Sequence, residues 1–89
     1  MNGKGDKMKV INVYPTSSVD TMAAVVAKEL KEQGSVELVS QGGDAVGRVF
    51  STVGIVKDCM DNYGVDIVSA RVSENKGSFV VKATKTNRF

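Results

Sequence analysis

The spacing of hydrophobic residues changes several times along the chain, and each change predicts an element. Residues 9–14 (KVINVY) are rich in β-branched side chains and predict a first strand, which Pro15 ends because proline cannot donate to a sheet hydrogen bond. Ser17 is the expected N-cap of a first helix, with Asp20 at the capping-box position and Gly34 as the C-terminal stop. The apolar stripe of this helix comprises Met22, Ala23, Val26, Ala27 and Leu30.

Residues 36–56 (VELVSQGGDAVGRVFSTVGIV) combine an apolar run, a glycine pair and a second helix. The run at 36–39 predicts a second strand, and Gly42-Gly43 predicts a tight turn with a positive φ or a close approach. The second helix should end near Asn62, with Gly64 as its stop. Its apolar positions are Ala45, Val46, Val49, Phe50, Val53, Val56 and Met60.

The start of this second helix is open to two interpretations. The unpaired N–H groups at Gly43 to Val46, together with the positive end of the helix dipole, could hold an anion. The glycines could equally serve only as a tight connection that lets the helix pack on the sheet. A nucleotide pocket is disfavoured, because the turn has no GxGxxG pattern and no Lys-Ser/Thr pair follows it.

Two further strands complete the predicted order. Residues 65–73 and 79–85 form the third and fourth strands, joined by a hairpin in which Asn75-Lys76-Gly77 supplies a type I turn and a left-handed glycine. The order β-α-β-α-β-β predicts an α+β fold, a two-layer sandwich with a mixed four-stranded sheet and both helices on one face. Residues 1–8 are expected to be a disordered tail, and 9–89 the domain.

Composition narrows the functional classes. A chain of 89 residues is short for burying a sufficient core alone, so a homo-oligomer is expected. There is no histidine, and Cys59 is the single cysteine, so we expect no metal, no disulfide and a cytoplasmic location. No apolar run is long enough to cross a membrane. We expect no cofactor and no enzymatic activity, because a catalytic base would have to come from a solvated carboxylate or a lysine.

The net charge of +2 hides a segregation along the chain. Residues 18–64 hold four basic and seven acidic side chains, a net charge of −3. Residues 1–17 carry a net charge of +2 and residues 65–89 a net charge of +3. Basic ends around an acidic middle can present a basic edge to phosphate groups.

The segments GGDAVGRVFSTVGIV and GVDIVSARV, with the serine pair before the first helix, carry a resemblance. In these segments and in its element order the chain resembles the stage V sporulation protein S family, a branch of the Alba superfamily of nucleic-acid-binding proteins. The resemblance covers about residues 9–85. The residues that carry it are Ser17-Ser18, Gly42, Ala45, Val49, Val53, Ile55 and Gly64-Val65-Asp66.

This resemblance implies an Alba-like homodimer built on the second helix and the final strands, acting in bacterial sporulation or development. The loop before the first helix, the glycine turn and the last hairpin would face DNA or RNA. Thr16 stands where the family has lysine, and Asp44 stands where Alba proteins are basic, so we expect weak binding through phosphates. The positions that would contact nucleic acid are Thr16, Ser17, Ser18, Gln41, Gly42, Gly43, Arg48, Arg71 and Lys76.

The alternative is a regulatory module that kept this fold but binds another protein instead of nucleic acid. Binding to phosphate weakens steeply as salt rises, whereas an apolar protein interface does not, so salt separates the two.

Overall fold

A computed structural model describes residues 8–86, which form a mixed four-stranded sheet and two helices in the predicted order β-α-β-α-β-β. The predicted tail at residues 1–8 lies outside the described residues except for Met8. The strands are β1 (Lys9–Val13), β2 (Ser35–Gln41), β3 (Tyr63–Val72) and β4 (Lys76–Lys85). The helices are α1 (Val19–Gln33) and α2 (Val46–Cys59).

The strand order across the sheet is β1-β2-β4-β3. β1 runs parallel to β2, while β4 is antiparallel to both β2 and β3. The carboxyl ends of β1, β2 and β3 and the start of β4 therefore lie at one end of the sheet, and both helices begin there. This topology brings the connections at that end of the sheet close to one another.

The core lies between the helices and one face of the sheet. Alternate residues of the central strands are buried there, Val36 and Leu38 from β2 and Phe79 and Val81 from β4. The helices contribute the predicted stripes, and both pack into the same apolar cluster. The buried helix residues are Met22, Ala23, Val26 and Leu30 from α1 and Val49, Thr52, Val53 and Val56 from α2. The other sheet face has no helix over it in the described chain, and its Val10 is 51% exposed.

The N-cap of α1 is Ser18, so the prediction of Ser17 was wrong. The Ser18 Oγ accepts a hydrogen bond from the Thr21 N–H at 3.3 Å. The Ser17 hydroxyl accepts one from the Tyr14 N–H instead, which closes the turn after β1 and delays the helix by one residue. Gly34 ends α1 as predicted, with φ +88° and its N–H bonded to the Leu30 carbonyl.

The second helix is shorter than predicted at both ends. Gly43–Ala45 form a single 3₁₀ turn before α2, and α2 ends at Cys59 rather than near Asn62. Met60, 2% exposed, leaves the helix with φ −112° and ψ 68°, because its side chain is held in the core. Gly64 is not a helix stop: it lies within β3, paired with Thr84 of β4.

The β3–β4 hairpin is tighter than predicted, because β4 already starts at Lys76. The Ser73 N–H donates to the Lys76 carbonyl at 2.8 Å, which closes the turn. Gly77 lies inside β4 without a positive φ, so the predicted left-handed glycine was wrong. A Cβ at Gly77 would stand 2.8 Å from both the Phe79 ring and the Ser40 Oγ. The glycine therefore serves close packing and not the turn.

Candidate functional site

Three connections meet at the end of the sheet where both helices begin. They are the β1–α1 loop (residues 14–18), the glycine turn (residues 42–43) and the β3–β4 hairpin (residues 73–76), and we call them together the loop end. A hydrogen bond of 2.9 Å from the Gly42 N–H to the Asn75 carbonyl ties the glycine turn to the hairpin.

The β1–α1 loop is held by its own serines. The Ser17 N–H donates to the Tyr14 carbonyl at 3.0 Å, while the Tyr14 N–H donates to the Ser17 Oγ at 2.9 Å. With Ser18 capping α1, both hydroxyl oxygens already accept one bond from the backbone. Each hydroxyl can still donate a hydrogen bond to an anion, because both act only as acceptors in these bonds. Thr16, also exposed, lies between them and the strand.

Arg48 holds this loop against α2. Its Nε donates to the Pro15 carbonyl, and its Nη1 donates to the Ser17 carbonyl at 3.0 Å. Two carbonyl oxygens of one turn thus converge on a half-buried guanidinium. Arg48 therefore borders the loop end, and its hydrogen bonds within the chain are those of a positioning residue.

The glycine turn has the backbone that the sequence predicted. Gly42 has φ +95°, a conformation that other residues rarely adopt, and Gly43 opens the 3₁₀ turn. The Gly42 N–H is bonded to the hairpin, and the Ala45 N–H donates to the Gly42 carbonyl at 3.2 Å. The Gly42 N–H is thus already hydrogen-bonded within the chain. It does not point to solvent as a donor for a phosphate, contrary to the expectation from the sequence. Asp44 lies exposed in this turn and puts a carboxylate where an anion would approach.

The end of β2 contributes a polar contact to β1. The Gln41 Nε2 donates to the Asn12 Oδ1 at 3.0 Å. Gln41 faces Lys76 across the β2–β4 pair, so its side chain lies between the β1–α1 loop and the hairpin. One of its amide protons and its carbonyl oxygen remain available for a ligand.

The hairpin forms a groove of about 240 Å³ that carries both remaining basic candidates. Arg71 and Lys76 line it, with hydroxyl groups from Ser73 and Ser78, and no acidic side chain is among its lining residues. Within residues 8–86 neither cation forms an ion pair. Glu37 lies just outside the lining and accepts a hydrogen bond from the Ser78 hydroxyl. The groove can hold an anion on two exposed positive charges.

Seven of the nine predicted positions lie in the loop end or its groove, and the other two, Gln41 and Arg48, border it. Arg71 and Lys76 are exposed and unpaired within the described chain, whereas Arg48 and Gly42 are engaged by the backbone. Ser73 also lines the groove, but its hydroxyl donates to the Lys76 carbonyl at 3.2 Å and so belongs to the turn.

A second surface is apolar and lies beside α2. Phe50 is 53% exposed, although its ring makes an edge-to-face contact with Phe79 at a centroid distance of 5.7 Å. Ala70 and Val72 of β3 pair with Phe79 and Gly77, which places them on the helix side of the sheet, and both are exposed. Val72 is 67% exposed. We call Phe50, Ala70 and Val72 the apolar patch.

No group of three or more potential metal ligands occurs among residues 8–86, and no helix in that range is long and apolar enough to cross a membrane. Comparison with known protein families and with curated proteins found no match for this chain.

Proposed function

We propose that this protein is a small non-enzymatic regulator that binds DNA or RNA weakly and without sequence preference, as a cytoplasmic homodimer. The resemblance to the stage V sporulation protein S family implies a function in bacterial sporulation or development, and we include that function in the proposal. The proposal also includes the Alba-like assignment of the observed β-α-β-α-β-β fold.

The observation that carries the proposal is the groove at the hairpin. Arg71 and Lys76 share it with no acidic lining residue, and it adjoins the loop end, where two helices begin. Helix starts and exposed cations both favour anions. A polyanion that runs past the groove could contact the hydroxyl groups of the β1–α1 loop as well.

Several features of the loop end favour weak binding. Arg48 is engaged by two backbone carbonyls, and the Gly42 amide by the hairpin, so fewer donors face solvent. Asp44 adds a repelling charge at the same end. With few phosphate contacts, we expect dissociation constants of about 1–100 μM at physiological salt, as for non-specific binding in general.

The test is fluorescence anisotropy with a labelled mixed-sequence duplex and a matched RNA hairpin at two salt concentrations. Asp44→Arg should strengthen binding, because it replaces a repelling carboxylate with a cation, and Lys76→Ala should weaken it. Asp58→Arg and Lys57→Ala are matched controls, because they change the same charges near the far end of α2. Both controls should bind like the wild type.

Absence of binding at low salt would contradict a phosphate-binding loop end, and so would control variants whose effects equal those of Asp44→Arg and Lys76→Ala. The second candidate function, a module that binds another protein, would then lead. It is favoured by the apolar patch, because an exposed phenylalanine beside exposed strand residues on so small a domain is typical of an interface. Its binding should be insensitive to salt.

A further inference from the structure

We propose that Tyr14 is a stacking platform for an unpaired base, so that this protein prefers single-stranded nucleic acid to duplex. This inference rests on the proposed function and names its ligand class. It concerns a residue outside the nine positions for which contact with nucleic acid was predicted.

Tyr14 is the aromatic residue of the loop end. It directly follows β1 and is 50% exposed. Val13, the last residue of β1, is fully buried, and we infer by continuing the strand alternation one residue further that Tyr14 lies toward the sheet face that lacks helices. Both its backbone N–H and its carbonyl are bonded to Ser17, which fixes the backbone that carries the ring. With the backbone fixed, only the two side-chain torsions of Tyr14 have to be ordered when a base stacks on the ring.

Cationic groups lie across the sheet from this ring. Val13, the last residue of β1, pairs with Ser40 of β2, which pairs with Gly77 of β4. Since neighbouring strands are about 4.8 Å apart, Val13 and Gly77 are roughly 10 Å apart, and Tyr14 and Lys76 are their chain neighbours at the loop end. A short stretch of single strand can therefore place a phosphate on the groove and a base on Tyr14.

The ring discriminates between the two forms of nucleic acid. The bases of a duplex are stacked on one another and offer no free face at its side, whereas a single strand can turn a base outward onto an aromatic side chain. Cations in the groove attract the phosphates of both forms, and those of the duplex more strongly because its charge density is higher. A preference for single strands would thus come from Tyr14, and overall affinity from Arg71 and Lys76.

The chain itself supplies a reporter, because it has two tyrosines and no tryptophan. In a Tyr63→Phe variant, Tyr14 is the sole tyrosine, and base stacking should quench its fluorescence. Titration with a single-stranded oligonucleotide should quench the signal, and the same strand annealed to its complement should quench it far less. The control is the Tyr14→Phe variant, in which Tyr63 is the sole tyrosine. Its fluorescence should not be quenched by either form of nucleic acid.

Affinity then separates stacking from phosphate contact. Tyr14→Ala should weaken single-strand binding about fivefold or more and leave duplex binding unchanged, whereas Tyr14→Phe should retain both. Lys76→Ala should weaken binding of both forms, because it removes a phosphate contact from each. Equal affinity for single strand and duplex, together with no effect of Tyr14→Ala, would overturn the stacking inference while leaving the proposed function intact. Failure of the wild type to bind either form would overturn both.

Discussion

Replacing Arg48 with alanine distinguishes a residue that holds the loop from one that binds phosphate. The side chain joins α2 to the β1–α1 loop through the carbonyls of Pro15 and Ser17. Arg71, in contrast, is exposed and forms no ion pair within residues 8–86. The two arginines should therefore respond in opposite ways to the same substitution.

The magnitude follows from the bonds that are lost. A hydrogen bond to a charged group contributes about 1.5–3 kcal/mol to stability. The Arg48 site is half-buried, so water can replace part of both bonds in the variant, and we expect a loss of about 1–2 kcal/mol in the free energy of unfolding. For a domain of this size that corresponds to a fall in Tm of roughly 5–15 °C. Arg71→Ala should change stability by less than about 0.5 kcal/mol.

The assay combines urea unfolding, followed by circular dichroism, with salt titrations of nucleic-acid binding. Arg71→Ala should reduce the slope of log K against log salt by about 1, the effect of losing one phosphate contact, and Arg48→Ala should leave the slope unchanged. Arg48→Lys keeps the charge but cannot reproduce the guanidinium fork, so it should also lower stability.

The opposite pattern would refute this reasoning. If Arg48→Ala kept wild-type stability and reduced the salt slope as Arg71→Ala does, Arg48 would be a phosphate ligand, as first predicted from the sequence. Its bonds to the loop would then contribute nothing measurable.

Three further predictions concern packing and assembly. Val49→Asp should abolish cooperative unfolding, because a fully buried position would receive an unpaired carboxylate at a cost of several kcal/mol, whereas the exposed neighbour Ser51→Asp should melt like the wild type. Gly77→Ala should lower the free energy of unfolding by about 1–3 kcal/mol in a urea titration, since its Cβ would press on the Phe79 ring; an unchanged midpoint would mean that the neighbours relax freely. Sedimentation at tens of micromolar should show a dimer that Phe50→Asp converts to a monomer, and a monomeric wild type would exclude the homodimer.

Local patterns in the sequence were sufficient for the elements and the core. The stripe of α1, except the half-buried Ala27, and the line Val49–Val53–Val56 of α2 are buried as their spacing predicts, because a helix that packs on a sheet must bury one face. Gly34 and Gly42 have the positive φ that glycine tolerates best. The order of strands and helices followed from the same periodicities, which depend only on residues near one another in the chain.

Tertiary contacts decided the element ends and the use of the site residues. The cap is an exception, because Ser18 replaces Ser17 through hydrogen bonds between residues only three apart. Gly77 lies in β4 because it pairs with Ser40 of β2, and it must be glycine because Ser40 and Phe79 leave no room for a Cβ. Arg48 is engaged by a loop 31 residues earlier in the chain, which no local pattern can indicate. Sequence could predict which residues are polar and which element they belong to. Whether a polar group is left for a ligand depends on partners that only folding brings within hydrogen-bond distance.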